Sequence, residues 1–177
     1  MSRLASKPIL FDKALTLSVA EGRVLVKGAK GELTVPVPEG IEVKVEGSGI
    51  WVNRKQDQHK PLQGLTWSLI RNAVVGLTTG YSKKIEVVGK GWRCAVKGDL
   101  IDFQVGYSHP VDYKLPKGVT ATQENPGNFT LFSYDKHLLG QVCANIQRIR
   151  PVEPYKLKGI RIAGQPLRQK VRKAAGA

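Results

Sequence analysis

The sequence of 177 residues predicts an α+β protein built from two tandem copies of a small unit, each with an antiparallel sheet packed on one helix, followed by an extended basic C-terminal tail. Three observations lead to this fold class. Short segments with a two-residue apolar period predict strands, two longer segments with a helical period predict helices, and the same order of motifs recurs along the chain. A chain of this length can hold two small packed cores.

The first unit begins with strand-like segments. Five stretches alternate between apolar and polar positions: residues 15–19, 24–26, 33–35, 41–45 and 50–52. Glu21 and Gly22 between the first two stretches predict a tight hairpin turn. Proline and glycine residues separate the others, so we expect one antiparallel meander.

From Asp57 the apolar period lengthens and predicts a helix that ends near Gly76 or Gly80. The residues predicted to share its buried face are Leu62, Leu65, Leu69, Ile70, Ala73, Val74 and Leu77. One helix on one sheet completes a small α+β unit.

The second half repeats this order. Residues 116–119 match 38–41, and 135–137 match 57–59, both at an offset of 78. Residues 85–87 are matched with 17–19, and 95–98 with 26–28, so the offset grows by about eight residues inside a loop. The alternative is a coincidence between two strand-rich segments with similar turns.

A second helix is predicted to start after Asp135 as N-cap and to end before Pro151. Its apolar face contains Leu138, Leu139, Val142, Ile146 and Ile149. The predicted organisation is a first unit over 1–82, a second unit over 83–153 and a basic tail over 154–177.

Charge narrows the class of partner. The 28 Lys and Arg residues against 14 Asp and Glu residues give a net charge of +14, which attracts polyanions such as nucleic acid or an anionic membrane surface. We expect no membrane association, because no apolar run is long enough to span a bilayer and the N-terminus lacks an apolar signal-peptide core. The two cysteines, Cys94 and Cys143, predict buried thiols in a reducing cytoplasm.

The residues that carry chemistry in enzymes do not form a recognisable site. No phosphate-binding Walker motif occurs, and the three histidines are scattered without metal-ligand spacing. The Gly28–Gly31 tetrapeptide matches the GxxG motif with which KH domains clamp a nucleotide backbone. Here it joins two predicted strands, which favours a simple turn. A nucleophile at Cys143 is disfavoured by its apolar helical surroundings. We therefore predict no enzyme activity, no cofactor and no metal.

Positive charge is concentrated at the end of the chain, where the last 27 residues hold seven bases and one acid. Tyr155 lies among them, and three prolines favour an extended backbone that could follow a groove of RNA. The alternative is a solvated, disordered tail.

The string over 151–161, Pro-Val-Glu-Pro-Tyr-Lys-Leu-Lys-Gly-Ile-Arg, resembles the signature of the family of the sixth protein of the bacterial large ribosomal subunit. That signature reads Pro-Glu-Pro-Tyr-Lys-Gly-Lys-Gly-Ile-Arg. The resemblance extends over nearly the whole chain, for example through 7–9, 64–66 and 106–110. Two departures are Leu157, where the family has glycine, and the divergent residues 3–6 and 10–13.

The resemblance implies a duplicated α+β protein that binds large-subunit ribosomal RNA near the base of the stalk, beside the region where translation factors dock. Further expected partners are neighbouring large-subunit ribosomal proteins, with no homo-oligomer, in the cytoplasm. Tyr155 could stack on a base or only anchor the tail, Trp92 could be core, and residues 107–110 could be only a turn. The predicted RNA contacts are Lys90, Arg93, His109, Arg148, Arg150, Tyr155, Lys156, Lys158, Arg161, Arg168, Lys170, Arg172 and Lys173.

Two other classes would use the same charge. A free nucleic-acid enzyme would need catalytic groups, and an RNA chaperone would need to release its RNA and act again. The sequence shows no recognisable set of catalytic residues, which counts against the enzyme. A protein held at a membrane surface by its basic tail would need an amphipathic or lipidated partner for that charge, and none is apparent in the sequence.

Overall fold

The computed structural model describes residues 7–12, 14–20, 22–47 and 49–171. The chain forms two compact units: the first runs to Gly80 and includes Tyr134–Lys136, and the second contains Tyr81–Ser133 and the residues from His137 onward. Arg172 and Lys173 of the predicted RNA contacts lie outside the described residues, as does Glu21 of the predicted hairpin turn.

The first unit contains six strands, one short 3-10 helix at Asp57–His59 and one α-helix among its described residues. The strands and the α-helix are β1 (Ile9–Leu10), β2 (Thr16–Ala20), β3 (Arg23–Gly28), β4 (Gly31–Pro36), β5 (Ile41–Glu46), β6 (Gly49–Arg54) and α1 (Lys60–Thr78). The strands form two antiparallel sheets, in the orders β2-β3-β4 and β1-β6-β5. The single predicted meander is therefore wrong between β4 and β5. Pro36 ends β4 and Pro38 follows it, and neither has an N–H group to continue a ladder.

Helix α1 packs on this unit with a face that differs in part from the predicted one. Ile70, Ala73, Val74 and Leu77 are buried as predicted, and so are Thr66 and Trp67. Leu65 and Leu69 are 54% and 36% exposed, so the prediction was wrong for these two leucines. Both leucines lie at the margin of the buried face of the helix. The helical period identifies apolar side chains near that face, but it does not show which of those at the margin are buried.

The second unit contains seven strands and one helix among its described residues. They are β7 (Tyr81–Val88), β8 (Arg93–Lys97), β9 (Leu100–Gln104), β10 (Val111–Lys114), β11 (Val119–Asn125), β12 (Asn128–Ser133), α2 (Lys136–Ile149) and β13 (Gly159–Ile162). The sheets have the orders β10-β9-β8 and β11-β12-β7-β13. Helix α2 buries Leu139, Val142, Cys143 and Ile146, which confirms its predicted face.

The duplication is confirmed by matching topology, and its register is corrected. The sheet β2-β3-β4 corresponds to β8-β9-β10, and the strands β5, β6 and β1 correspond to β11, β12 and β7. Residues 85–87 therefore match β1 rather than β2, and 95–98 match β2 rather than β3. The offset is 77 from the start of β2 to that of β8 and 78 from β5 to β11, so it changes by one residue rather than by about eight. Neighbouring strands share a two-residue period, which leaves a one-strand slip undetected.

Strand β13 has no counterpart in the described part of the first unit. It pairs antiparallel with β7, where Ile160 lies opposite Val87 and Arg161 opposite Glu86. Ile160 is completely buried. Residues 159–162, which the sequence assigns to the basic tail, thus form an edge strand of the second unit's larger sheet.

The repeated motifs of the sequence meet at the start of each helix. In the first unit, Gly40 before β5 has φ of +84° and faces the ring of His59, which precedes α1. In the second unit, Gly118 before β11 has φ of +92°, and a Cβ there would lie 3.7 Å from Leu138 Cδ2. Both turns require the left-handed backbone that glycine adopts freely. The motifs recur because each copy packs its helix start onto this turn.

No helix in the described ranges is both long enough and apolar enough to cross a membrane.

We expect Gly40→Ala to lower the free energy of unfolding by more than about 2 kcal/mol, because the new Cβ combines an unfavourable φ with overlap of the His59 ring. Gly118→Ala is the matched control, with similar φ and more space, and we expect a loss of about 1–2 kcal/mol. Urea unfolding measures both. If His59→Ala in the Gly40→Ala background recovers no stability, the ring is not the obstacle.

Candidate nucleic-acid interface

Two arginines at the end of α2 precede residues 153–170, which we call the basic segment. Arg148 is exposed in the last turn of the helix, where a cation complements the helix dipole, and Arg150 follows directly. The Tyr107 hydroxyl donates a hydrogen bond to the Ile149 carbonyl at 2.8 Å. The Ile160 N–H donates to the Arg150 carbonyl at 2.9 Å. The end of α2 is thus tied both to the loop before β10 and to strand β13.

An aromatic cleft lies beside this helix end, and we define it by Lys90, Trp92, Tyr107, His109 and Arg150. The Arg150 guanidinium carbon lies 5.5 Å from the Trp92 ring centroid and 5.0 Å from that of Tyr107, within cation–π range of both. The rings of Tyr107 and His109 are stacked, with centroids 6.4 Å apart and planes inclined by 25°. The structure therefore brings together three of the predicted contacts, Lys90, His109 and Arg150, around two aromatic rings.

Two glycines leave space for the Trp92 ring. A Cβ on Gly89 would overlap the ring, and one on Gly106 would lie 3.0 Å from its Nε1. Trp92 is half-buried and packs against the core of the second unit, while it also lines an open depression of about 430 Å³. One side of the Trp92 ring therefore packs on the core and the other side lines the cleft. The sequence left open whether this residue belonged to the core or to a surface loop, and it contributes to both.

Residues 153–158 form a hydrogen-bonded turn that we call the signature loop. The Glu153 N–H donates to the Lys158 carbonyl at 2.8 Å, and the Leu157 N–H donates to the Glu153 carbonyl at 2.9 Å. Leu157 has φ of +55° and is the one non-glycine residue with positive φ in the described ranges. Glycine, which the family signature has at this position, adopts such a left-handed backbone without the strain that a leucine side chain introduces.

Gly159 after the signature loop is required by close packing. Its φ is +151°, and a Cβ there would lie 2.5 Å from the Val152 Cα and 2.8 Å from the Pro151 carbonyl oxygen. The backbones that enter and leave the signature loop can approach this closely only around glycine. The residues of the signature thus form the turn that leads the chain from the end of α2 into strand β13.

The chain beyond β13 lies against the signature loop. The Lys170 N–H donates to the Pro154 carbonyl at 2.9 Å, and the Gln169 side-chain amide donates to the Tyr155 carbonyl at 3.1 Å. These bonds bring four predicted phosphate contacts, Lys156, Lys158, Arg168 and Lys170, onto one connected piece of backbone. Tyr155 is 44% exposed. As far as Lys170, this basic segment is held by hydrogen bonds.

Two predicted contacts are engaged within the second unit. Arg161 Nε donates to Glu86 Oε2 at 2.8 Å across the β13–β7 pair, so its charge is offset there. Arg93 is exposed and its Nε donates to the Gln104 side-chain oxygen at 2.6 Å.

The sequence did not predict the stacking of Arg150 on Trp92 and Tyr107. The sequence feature that accompanies this site is a glycine directly before each aromatic residue: Gly91 before Trp92 and Gly106 before Tyr107.

The two thiols are unsuited to nucleophilic chemistry. Cys94 and Cys143 are free and buried, which confirms the predicted buried thiols. Burial raises the pKa of Cys94 to about 11 and also raises the pKa of Cys143. Both thiols are thus protonated near neutral pH, whereas a nucleophile needs the thiolate. Within the described ranges, no three His, Cys, Asp or Glu side chains are grouped so that they could hold a metal ion.

Comparison with known proteins gives a consistent result. The model of the family described as ribosomal protein L6 matches residues 14–80 and 88–162. The chain is 42% identical over 176 residues to the large ribosomal subunit protein uL6 of Rubrobacter xylanophilus, covering 98% of this chain and 99% of the relative. It is 42% identical to the uL6 of Protochlamydia amoebophila, with 99% and 98% coverage, and 41% identical to that of Thermotoga petrophila, with 99% and 100% coverage. The family match includes β13 and ends with it.

We expect Leu157→Gly to raise the free energy of unfolding by about 0.5–1 kcal/mol, because relief of the left-handed strain exceeds the added entropy of the unfolded chain. Leu157→Ala removes the side chain but keeps the strain, and it serves as the control. Thermal unfolding compares the two variants. A Leu157→Gly protein no more stable than Leu157→Ala would contradict a strained backbone at this position.

Proposed function

Since the chain belongs to the ribosomal protein L6 family, we propose that it binds the RNA of the large ribosomal subunit through its second unit. Proteins of this family are structural, non-enzymatic components of the large subunit, which sits in the cytoplasm. The finer proposal concerns which surface binds RNA. It rests on the aromatic cleft and on the basic segment of the signature loop and the residues that pack on it.

One observation carries the proposal: four cations of the basic segment have no carboxylate partner among the residues that the structure describes. They are Lys156, Lys158, Arg168 and Lys170. Acidic side chains offset Lys27, Arg54, Lys55, Lys84 and Lys97 in other parts of the chain, and Arg161 within the basic segment. Other exposed lysines, such as Lys44 and Lys60, also have no carboxylate partner among the described residues, so the basic segment is distinguished by holding four such cations on one hydrogen-bonded stretch of backbone. A cation without a partner can displace the counterions of a phosphate backbone without first breaking an ion pair.

The hydrogen bonds of the basic segment support this role. A flexible tail loses conformational entropy when it binds, whereas cations on a backbone already held in place lose less. Backbone hydrogen bonds hold the segments that carry three of these cations. The bonds of the signature loop hold the backbone at Lys156 and Lys158, and the bond from the Lys170 N–H to the Pro154 carbonyl holds the backbone at Lys170. Tyr155, exposed between them, offers an aromatic face to an unstacked base.

We further propose that the chain occupies, as a single copy, the region near the base of the stalk, next to neighbouring ribosomal proteins and beside the region where translation factors dock. The family resemblance supports this position. A structural protein there would hold RNA helices in place through phosphate contacts rather than read a long sequence, which fits a surface rich in unpaired lysine and arginine.

We expect the double variant Lys156→Gln with Lys158→Gln to bind deproteinised large-subunit ribosomal RNA more weakly and with a smaller dependence on salt. Each lost phosphate contact reduces the slope of log affinity against log salt by about 0.7–0.9. Filter binding across a salt series measures both quantities.

The matched control removes two exposed lysines of the first unit, by Lys44→Gln with Lys60→Gln. It lowers the net charge equally, so nonspecific attraction changes by the same amount. If both double variants lose the same affinity and slope, the second unit is not the RNA-binding surface. Deletion experiments should begin after Ala163, because an earlier end would remove β13 and Ile160 from the core.

Assembly is tested by sucrose-gradient sedimentation of a lysate that contains the tagged chain. We expect the chain in the large-subunit fraction at one copy per particle, because a structural constituent is incorporated stoichiometrically. High salt should release it if phosphate contacts dominate. A chain found only at the top of the gradient would contradict the proposal.

A further inference from the structure

The aromatic cleft has a composition that phosphate binding alone does not explain. Its lining contains Lys90, Trp92, Tyr107, Ser108 and His109 together with Gln104 and backbone of glycine and proline, and none of these is acidic. Phosphate contacts in proteins need only cations and N–H or O–H donors. Exposed rings beside cations are instead typical of surfaces that stack single-stranded bases.

The Tyr107 ring is exposed and fixed. It is 43% exposed, yet its hydroxyl donates to the Ile149 carbonyl, which sets the orientation of the ring against the end of α2. The imidazole of His109 lies nearly parallel to it. An aromatic platform that is already ordered gains stacking energy without loss of side-chain entropy.

Arg150 adds a cation at the same place. Its guanidinium is held by two rings, and no carboxylate of the described residues pairs with it or with Lys90. A guanidinium covered on its faces still presents N–H groups at its edge, where a phosphate oxygen can accept them. The depression of about 430 Å³ thus offers a stacking surface and the Lys90 cation, and the Arg150 guanidinium lies beside it against two of the rings that line it.

Resting on the proposed function, we infer that the aromatic cleft binds one unstacked nucleotide of a loop or bulge in the ribosomal RNA. The base packs on the aromatic wall that Tyr107 and His109 form together, and the phosphate accepts hydrogen bonds from Arg150 and Lys90. A paired nucleotide within a helix has both base faces covered by its neighbours and cannot stack on a side chain. The cleft therefore selects RNA structure, while the signature loop supplies the general attraction to phosphates.

Stacking and phosphate contact differ in their dependence on salt, and this difference provides the test. Full-length variants are titrated with deproteinised large-subunit ribosomal RNA over a salt series. We expect Tyr107→Leu to reduce affinity about tenfold at every salt concentration, with the salt slope unchanged, because the charge is intact. Arg150→Gln should instead reduce the slope by about one.

Two controls separate stacking from a role in folding. Tyr107→Phe keeps the ring but loses the hydrogen bond to Ile149 that orients it, and we expect a loss of affinity clearly smaller than that of Tyr107→Leu. Trp51→Leu removes a ring of similar exposure from the first unit and should leave affinity unchanged. If Tyr107→Phe is as weak as Tyr107→Leu, the hydroxyl matters only for local structure, and the inference is overturned.

Ultraviolet crosslinking of the wild-type complex identifies the nucleotide directly. We expect an adduct between the peptide that contains Tyr107 and a nucleotide whose base is reactive to chemical probes of unpaired RNA. An adduct confined to paired nucleotides, or a Tyr107→Leu protein with unchanged affinity, overturns the inference while RNA binding by the second unit stands. Failure of the wild-type chain to bind the RNA overturns the proposed function instead.

Discussion

The pairing of β13 with β7 is the constraint on which the signature loop and the basic segment around it depend. It places Ile160 in the core of the second unit, where full burial of an isoleucine is worth about 1.5–3 kcal/mol. The Ile160 N–H also satisfies the carbonyl of Arg150 at the end of α2. With both ends of 151–158 anchored, the intervening residues must form a compact turn. The signature loop is therefore a consequence of sheet pairing on one side and helix termination on the other.

The same anchoring explains the arrangement of charge. Arg161 is committed to Glu86 across the strand pair, so it stabilises the edge strand rather than the binding surface. Arg150 is committed to the rings of Trp92 and Tyr107, which keep its guanidinium at the cleft. The lysines of the signature loop have neither kind of partner. Cations close together in sequence thus take three different roles, which are set by what lies next to each in space.

The two units show how the copies of a duplicated fold come to differ in structure. Both keep the three-stranded sheet, the glycine turn and the helix that packs on it. The second adds β13 and the segment that follows, which cover the sheet edge beside β7 and bring basic residues with them. In the described part of the first unit, the corresponding strand β1 is the edge of its sheet. One added strand therefore distinguishes the second copy as the candidate RNA-binding unit.

The sequence alone determined the α+β class, the duplication, the face of α2 and the basic character of the C-terminal segment. Each follows from local period, from glycine and proline at turns, or from charge, which are properties of neighbouring residues. Only the tertiary structure decided that the meander breaks after Pro36, that β7 matches β1 rather than β2, and that Leu65 and Leu69 are exposed. It alone paired Arg161 with Glu86 and placed Arg150 on two rings more than 40 residues away in sequence. These contacts join distant segments, and the period of one segment carries no information about which other segment it meets.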